Sequence, residues 1–373
     1  MDQKITDIIE RLEKSPIHAM SLGNHELFHS NFWAWLFTNT SQKNEYAKVF
    51  FDTIDSNCEF TVEREQGNRD ITIWQKDFAY VIENKLKSIP TVKQLQGYSS
   101  ELGDRCSEAV FTGMINPYIE ESSEPCFSEK NKEKKWVFKS YRHIGDKIKE
   151  IAQKETSDKY RQLISDYAQM ICDANDLLDE IIASIGKDNL IIRPVTKKGE
   201  KSLLERIRLQ DIVLKMNASL LLRQDIQIDG LTREFSFNNK KATLSFKLKN
   251  KETGNIAGIQ IEGNQYRRFL ESETPYICDT IFKKAESVQW FDKGFDRNIK
   301  PKTVFEKRTS MSPKNGNQYD VYEKPHSFVY QYWDLDKAYK PNKGELFTTV
   351  SFSEILKQLQ EDLRLAKQLD WLK

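Results

Sequence analysis

Cysteine is scarce: Cys58, Cys106, Cys126, Cys172 and Cys278 are scattered over 373 residues, odd in number, with no CxxC pair and no Cys/His cluster. Neither a disulfide framework nor a structural zinc site is expected from that pattern, and a reduced, cytoplasmic setting is the natural one. No apolar run approaches the roughly 18 residues that a membrane span requires. The opening stretch, MDQKITDIIERLEK, reads as a charged amphipathic helix rather than a signal peptide. A soluble protein with no membrane partner is expected. An excess of either charge is also missing, since 57 Lys and Arg face 56 Asp and Glu for a net charge of +1. No global polycation announces nucleic acid, although a local basic face would escape that average. No P-loop, dinucleotide fingerprint or Ser-His-Asp arrangement occurs.

Apolar and aromatic mass, by contrast, is ample. Phe, Tyr and Trp number 21, 14 and 7, enough for real cores in a chain whose length suggests two or three domains. The spacing predicts a helix over 4–13, closed by Ser15-Pro16, and a second from Asn24-His25-Glu26 through Leu36. Phe28, Phe32, Trp35 and Leu36 form one stripe of that second helix, and Trp33 and Phe37 lie opposite with Glu26 and Ser30. A helix apolar on two sides is buried between layers. A third helix is expected over Glu45–Ile54.

Three strands then follow closely: Phe60–Glu65, Asp70–Trp74 and Phe78–Leu86, joined by connectors of hairpin length. A helix beginning at Thr91 and a strand near Glu108–Ile115 come next. This order describes an α/β (α+β) layer with a mixed sheet. A strand is expected at Trp136–Ser140, with helices over Asp146–Gln153 and Ser157–Ile185. Loop chemistry around Gly186–Asn189 and Pro194–Gly199 places a boundary near residue 195, giving domains of 1–195 and 196–373. Beyond it are expected a helix over Leu203–Leu221, strands near Ile226, Phe235, Ala242–Leu248, Ala257–Glu262 and Phe328–Trp333, and a helix over Phe352–Leu372.

The informative chemistry lies in Arg69-Asp70-Ile71-Thr72-Ile73-Trp74 followed by Tyr80-Val81-Ile82-Glu83-Asn84-Lys85. Strand residues two apart share a face, so Glu83 and Lys85 project together, and Asp70 begins the neighbouring strand of the same hairpin. Two carboxylates suit a hard divalent cation, Mg²⁺ or Mn²⁺. A lysine beside them suits the orientation of water or the stabilisation of a developing oxyanion. A lone Glu-x-Lys says little. Here Ile71, Ile73, Val81 and Ile82 make the flanks apolar, and buried charges need partners or metals.

Taken with Glu26-Leu27-Phe28-His29-Ser30, Trp35-Leu36, Glu65 and Gln94-Leu95-x-x-Tyr98, this pattern resembles the PD-(D/E)XK nuclease superfamily. The similarity is closest to a bacterial branch in which a helical glutamate precedes the hairpin and a Gln-Leu-x-x-Tyr helix follows it. It covers about residues 20–100, with weaker similarity around Ile259–Glu262, and Arg69 stands where the proline of the motif would be. The resemblance implies a restriction-endonuclease-like core, a mixed sheet flanked by helices, followed by a C-terminal α+β region for substrate recognition or partner contact. It implies Glu26, Asp70 and Glu83 as metal ligands, Lys85 as the catalytic lysine and Gln94 as an orienting residue. His29 and Tyr98 become candidates for substrate contact. The activity implied is Mg²⁺-dependent endonucleolytic cleavage, with double-stranded DNA as substrate and anti-phage defence or mobile-element biology as setting. A homodimer would suit a duplex. The rival readings are an inactive nucleic-acid-binding module and an RNase or toxin-like nuclease.

Other features have plainer readings. His25 and His29 share a helix face but lack a third ligand for zinc. The lysines of 130–139 are mixed with glutamates and read as a solvated face. Gln265-Tyr266-Arg267-Arg268 follows a strand and is a candidate nucleic-acid contact, whereas Phe328–Trp333 reads as core.

Overall fold

A computed structural model of the chain describes residues 3–20, 25–86, 88–118, 125–127, 133–186, 188–194, 203–206, 210–238, 241–272, 290, 327–335 and 347–372. Two compact units emerge, 1–184 with 201–223, and 185–200 with 224–373. Where the sequence suggested one boundary near 195, the chain passes between units near 185, 200 and 223.

In the first unit, helices α1 (Gln3–Lys14), α2 (Pro16–Ala19), α3 (Glu26–Asn39) and α4 (Lys43–Phe50) precede strands β1 (Thr61–Arg64), β2 (Ile71–Gln75) and β3 (Phe78–Asn84). Helix α5 (Val92–Leu102) leads to β4 (Cys106–Gly113) and β5 (Trp136–Ser140), then α6 (Tyr141–Ala152) and α7 (Asp158–Ile185). Short α8 (Leu203–Arg206) and α9 (Gln210–Leu222) belong here as well. The strands form one sheet in order β1-β2-β3-β4-β5. The first three pair antiparallel as a meander, and β3-β4 and β4-β5 are parallel. The mixed α/β sheet flanked by helices is consistent with the restriction-endonuclease-like expectation.

Strand β3 lies in the middle, and its residues from Ala79 to Asn84 are all buried. Both faces of a strand that pairs in parallel are covered, so it reads as a continuous apolar run rather than an alternation. On one face Ala79 and Val81 pack with Leu95 and Leu102 of α5 and with Phe111 and Trp136. On the other, Tyr80 meets Phe51 edge-on, and Phe32, Trp33, Tyr141 and Tyr167 from α3, α6 and α7 form a layer of rings. The two apolar stripes of α3 are thereby explained, since Phe32, Trp33, Leu36 and Phe37 are all buried. Side-chain caps start the helices that follow β3 and β5: Thr91 accepts from the Gln94 N–H (3.1 Å) and Ser140 from the His143 N–H (3.1 Å).

The second unit has a two-stranded pair, β6 (Asn189–Pro194) with β12 (Phe347–Ser351). It also has an antiparallel sheet in which β7 (Leu231–Asn238), β8 (Lys241–Lys249), β9 (Ile256–Glu262), β10 (Gln265–Ser272) and β11 (Ser327–Asp334) lie in sequence order. Helix α10 (Phe352–Ala366) follows β12. Strands β6, β10 and β12 carry no clear alternation and were not expected. Gln265–Arg268, a candidate nucleic-acid contact, is instead part of a strand paired on both sides. Arg267 binds Glu262 (2.7 Å) and Arg268 binds Asp362 (2.7 Å), with both arginines no more than 9% exposed. Their charges are engaged inside the unit and do not form an open phosphate-binding face. No helix among the described residues is long and apolar enough to cross a membrane.

Two glycines test the packing that holds α5 and α6. A Cβ at Gly145 would lie 2.5 Å from Cys172 Sγ and 2.9 Å from Ile171 Cγ1, whereas one at Gly97 would meet nothing within 4 Å. Gly97→Ala should therefore stabilise by about 0.5–1 kcal/mol through helix propensity. Gly145→Ala should reverse that sign and cost about 1–3 kcal/mol through overpacking. Thermal denaturation of the two variants side by side reads the difference.

Candidate active site

The hairpin β2–β3 brings the sequence-predicted residues to one strand end. Ile71 pairs with Ile82 in antiparallel register, which sets Asp70 across from Glu83. Directly opposed residues point to the same face. Lys85 continues the line of Glu83, and its main-chain N–H still donates to the Thr112 carbonyl (3.1 Å). The ammonium of Lys85 lies 2.6 Å from Glu83 Oε1. From above, α5 adds Gln94, whose Nε2 donates to the same Glu83 oxygen (3.2 Å) and to the Tyr98 hydroxyl (2.8 Å). Thus Asp70, Glu83, Lys85, Gln94 and Tyr98 are gathered together.

The electrostatics follow from depth. Glu83 is 2% exposed, and burial, opposed by Lys85 and reinforced by Asp70, pushes its carboxyl up to about 7. The Asp70 N–H lies on the side that favours its charge, but no hydrogen bond of good geometry reaches Glu83 Oε2, which is buried without a partner. Burial also raises Asp70, against the pull of the Asn84 N–H that donates to its Oδ2 (2.7 Å) and of Lys85. Burial alone would lower Lys85, yet Glu83, with Glu26 and Asp70 behind it, outweighs that and holds the ammonium charged. Tyr98 is raised, chiefly by its burial.

Glu26 occupies a different position from the two strand carboxylates. It opens α3, and its Oε1 accepts from the Ser88 N–H (3.1 Å) and the Ser88 hydroxyl (3.2 Å), just beyond the end of β3. Its charge is felt at Asp70 and Lys85. Among the described residues no group of three or more His, Cys, Asp or Glu side chains gathers as a metal cage. His29 is not brought to this site. It is 1% exposed, bonded through Nδ1 to the Tyr167 hydroxyl (2.9 Å), and enclosed by Phe28, Trp33 and Tyr141. Substrate could touch it only if that ring layer opened, so the expected contact gives way to a core histidine. The described part of the 130–139 run is also internal in use: Lys134 donates to the Cys106 carbonyl (2.9 Å) and Lys139 pairs with Asp52 (3.2 Å), while Lys130 and Lys132 lie outside the described residues.

Two site residues escaped the sequence reading. Asn84, between Glu83 and Lys85, turns to the opposite face of the sheet and is 1% exposed. Its Nδ2 donates to the Glu26 carbonyl (2.7 Å) and to Ser30 Oγ (3.1 Å). Its Oδ1 accepts from Thr112 (3.1 Å) and from the Tyr141 hydroxyl. An asparagine among hydrophobic strand residues was the signal available. Lys215, on α9, is 2% exposed and donates to the carbonyls of Lys85 and Leu86 (3.0 Å for the latter). Burial pulls its ammonium down to about 7, with Glu26 opposing and Lys85 adding to the fall. A separation of 130 residues hides that contact from any local pattern.

With the site laid out, residues 18–169 match the family model of the PD-(D/E)XK nuclease superfamily. That segment belongs to the PD-(D/E)XK nuclease superfamily. No curated protein and no solved structure matched the chain. The PD-(D/E)XK segment contains the whole hairpin, α3, α5 and α6, and leaves α9 outside.

Asn84→Ala removes four side-chain hydrogen bonds and leaves the buried Tyr141 hydroxyl without its acceptor, while the Glu26 carbonyl keeps only its bond from Ser30 Oγ (3.1 Å) on the side-chain side. Unsatisfied buried partners of this kind cost about 2–4 kcal/mol in total. Chemical denaturation should show that loss, and a variant of wild-type stability would contradict the locking role.

Proposed function

We propose that this protein is a divalent-metal-dependent nuclease that hydrolyses phosphodiester bonds by water attack, with Asp70 and Glu83 as metal ligands and Lys85 as catalytic lysine. The observation that carries this is the state of Glu83. A buried carboxylate oxygen without a hydrogen-bond partner is costly, and Oε2 sits beside Asp70 in such a state. Among the described residues nothing bonds Asp70 Oδ1 either. The two carboxylates therefore fit a hard cation that keeps several waters and takes its remaining ligands from phosphate, the habit of Mg²⁺. Such an ion, when bound, neutralises phosphate charge and makes a coordinated water more acidic.

The chain's own residues divide the remaining work. Gln94 and Lys85 both engage Glu83 Oε1, which leaves Oε2 as the oxygen that would hold an ion. Lys85, kept charged by its carboxylate neighbours, holds its proton at Nζ and offers an N–H where charge develops on the phosphate. Tyr98, tied to Gln94, is the candidate to contact substrate at the rim. Glu26 acts through Ser88 and its field, alongside the metal-ligand role that the resemblance implies. DNA as substrate, and a place in prokaryotic defence or mobile-element biology, follow from the resemblance. The C-terminal part is assigned to recognition of substrate or partner on the same ground.

Incubation of the full chain with plasmid DNA and with RNA, in Mg²⁺, Mn²⁺ or EDTA, tests the reading. Cleavage is expected with metal and lost with EDTA, and Asp70→Asn, Glu83→Gln and Lys85→Ala should each lower kcat by at least about 100-fold. Preference for RNA would replace the DNA assignment, and no cleavage with any metal would sink the enzyme reading. Proton competition gives a second check. Because the Glu83 carboxyl is raised to about 7, metal must displace a proton below that pH. Apparent Mn²⁺ affinity should climb as pH rises toward about 7 and level off above it. Calorimetry in buffers of different ionisation enthalpy should count about one proton released per ion below pH 7 and fewer above.

A further inference from the structure

The strand end that carries Glu83 and Lys85 is gripped from two sides by opposite charges on separate helices. Glu26 of α3 accepts from the donors of Ser88. Lys215 of α9 donates to the main-chain acceptors of Lys85 and Leu86. Beyond the Lys85 N–H, which still bonds Thr112, the described ladder between β3 and β4 ends. The ammonium therefore takes over where sheet pairing stops.

The fit is built for it. A Cβ on Gly113 of β4 would sit 3.2 Å from Lys215 Nζ and 3.2 Å from the Lys85 carbonyl, so a side chain there would press on both partners. Lys215 has no carboxylate in hydrogen-bond contact among the described residues, although Glu26 is near enough to favour its charge. Sinking an ammonium to 2% exposure against carbonyls alone is expensive, and an apolar residue of similar length would serve stability better. A role in stability does not account for the burial. A role in aim does.

We propose that Lys215 is a positioning residue of the active centre: by pinning the carbonyls of Lys85 and Leu86 it sets where the Lys85 ammonium meets Glu83. This rests on the nuclease reading, and it makes α9, which lies outside the PD-(D/E)XK segment, a working part of the same site. A displacement of the order of 1 Å in a reacting constellation costs roughly 10- to 100-fold in rate. Substrate binding is expected to change little, because Lys215 is buried behind the strand end and offers no surface to a substrate.

The test uses the full chain with Lys215→Met, which keeps length and removes charge, and Gly113→Ala, which leaves Lys215 intact and presses on its contact. Plasmid cleavage in Mg²⁺ should show kcat lowered by roughly 10- to 100-fold with KM within about threefold of wild type. Hydrogen exchange by mass spectrometry should speed up in peptides spanning residues 81–89 while those of α1 stay unchanged. A merely structural lysine would loosen exchange or lower the melting temperature without moving kcat in the folded protein, and that result overturns the proposal. Unchanged exchange over 81–89 in both variants overturns it too, as does failure of both to fold. If Lys215→Met alone is unfolded, Gly113→Ala decides. Should the wild-type chain cleave neither DNA nor RNA, the nuclease reading falls by itself, and the exchange data still report whether the grip exists.

Discussion

A carboxylate almost out of reach of water is the constraint around which the first unit is arranged. Glu83 sits in the central strand of a mixed sheet, where both faces are covered and an ion has no solvent to turn to. Lys85 and Gln94 answer one of its oxygens and leave the other unanswered. The costs of that arrangement explain its neighbours. Lys85 stays charged in a site that by burial alone would discharge it, and Asp70 is drawn up toward protonation by the same dryness that affects Glu83. Burial disfavours the charge on each group, and Lys85 and the carboxylates partly offset that cost for one another, as is common where charge is needed for chemistry and not for solubility.

One residue along, the chain does the opposite kind of work. Asn84 faces away from the carboxylates and binds main chain and hydroxyls from α3, β4 and α6. Alternation along a strand thus separates two tasks at a spacing of a single residue: reactive charges on the α5 face, and a saturated polar lock on the other. The lock matters because α3 both fills the core with its rings and delivers Glu26, whose carboxylate reaches round the strand end to Ser88. A shift of α3 would be transmitted to the turn behind Lys85 through that bond.

Much of this is legible in the sequence, because the decisive signals are local. The meander and the helix after Pro90 declared themselves through short apolar runs, connectors of hairpin length and a proline, and the placing of Asp70 on the strand beside Glu83 followed from the same hairpin. The clustering of Gln94 with Tyr98 came from helical spacing. What stayed hidden was non-local. Lys215 meets Lys85 across 130 residues, and β6 finds β12 across more than 150, with no pattern in either strand to advertise a partner. Strand β10 was disguised by its arginines, since a charge on the core side of a strand looks like a loop until Asp362 is placed beneath it. His29 misled for a related reason: a histidine near a charged motif invites a functional reading, and only the enclosing rings reveal it as core.

The interleaving of the two units along the chain has a consequence for how the protein emerges from the ribosome. Synthesis runs from the N-terminus, and domains generally fold as they become available. Here the sheet, the hairpin and the ring layer are all complete by residue 185, yet Lys215 arrives only after the chain has made the first strand of the second unit. Until then the carbonyls of Lys85 and Leu86 lack their cation. The last part of the site to be synthesised lies beyond the segment that identifies the family.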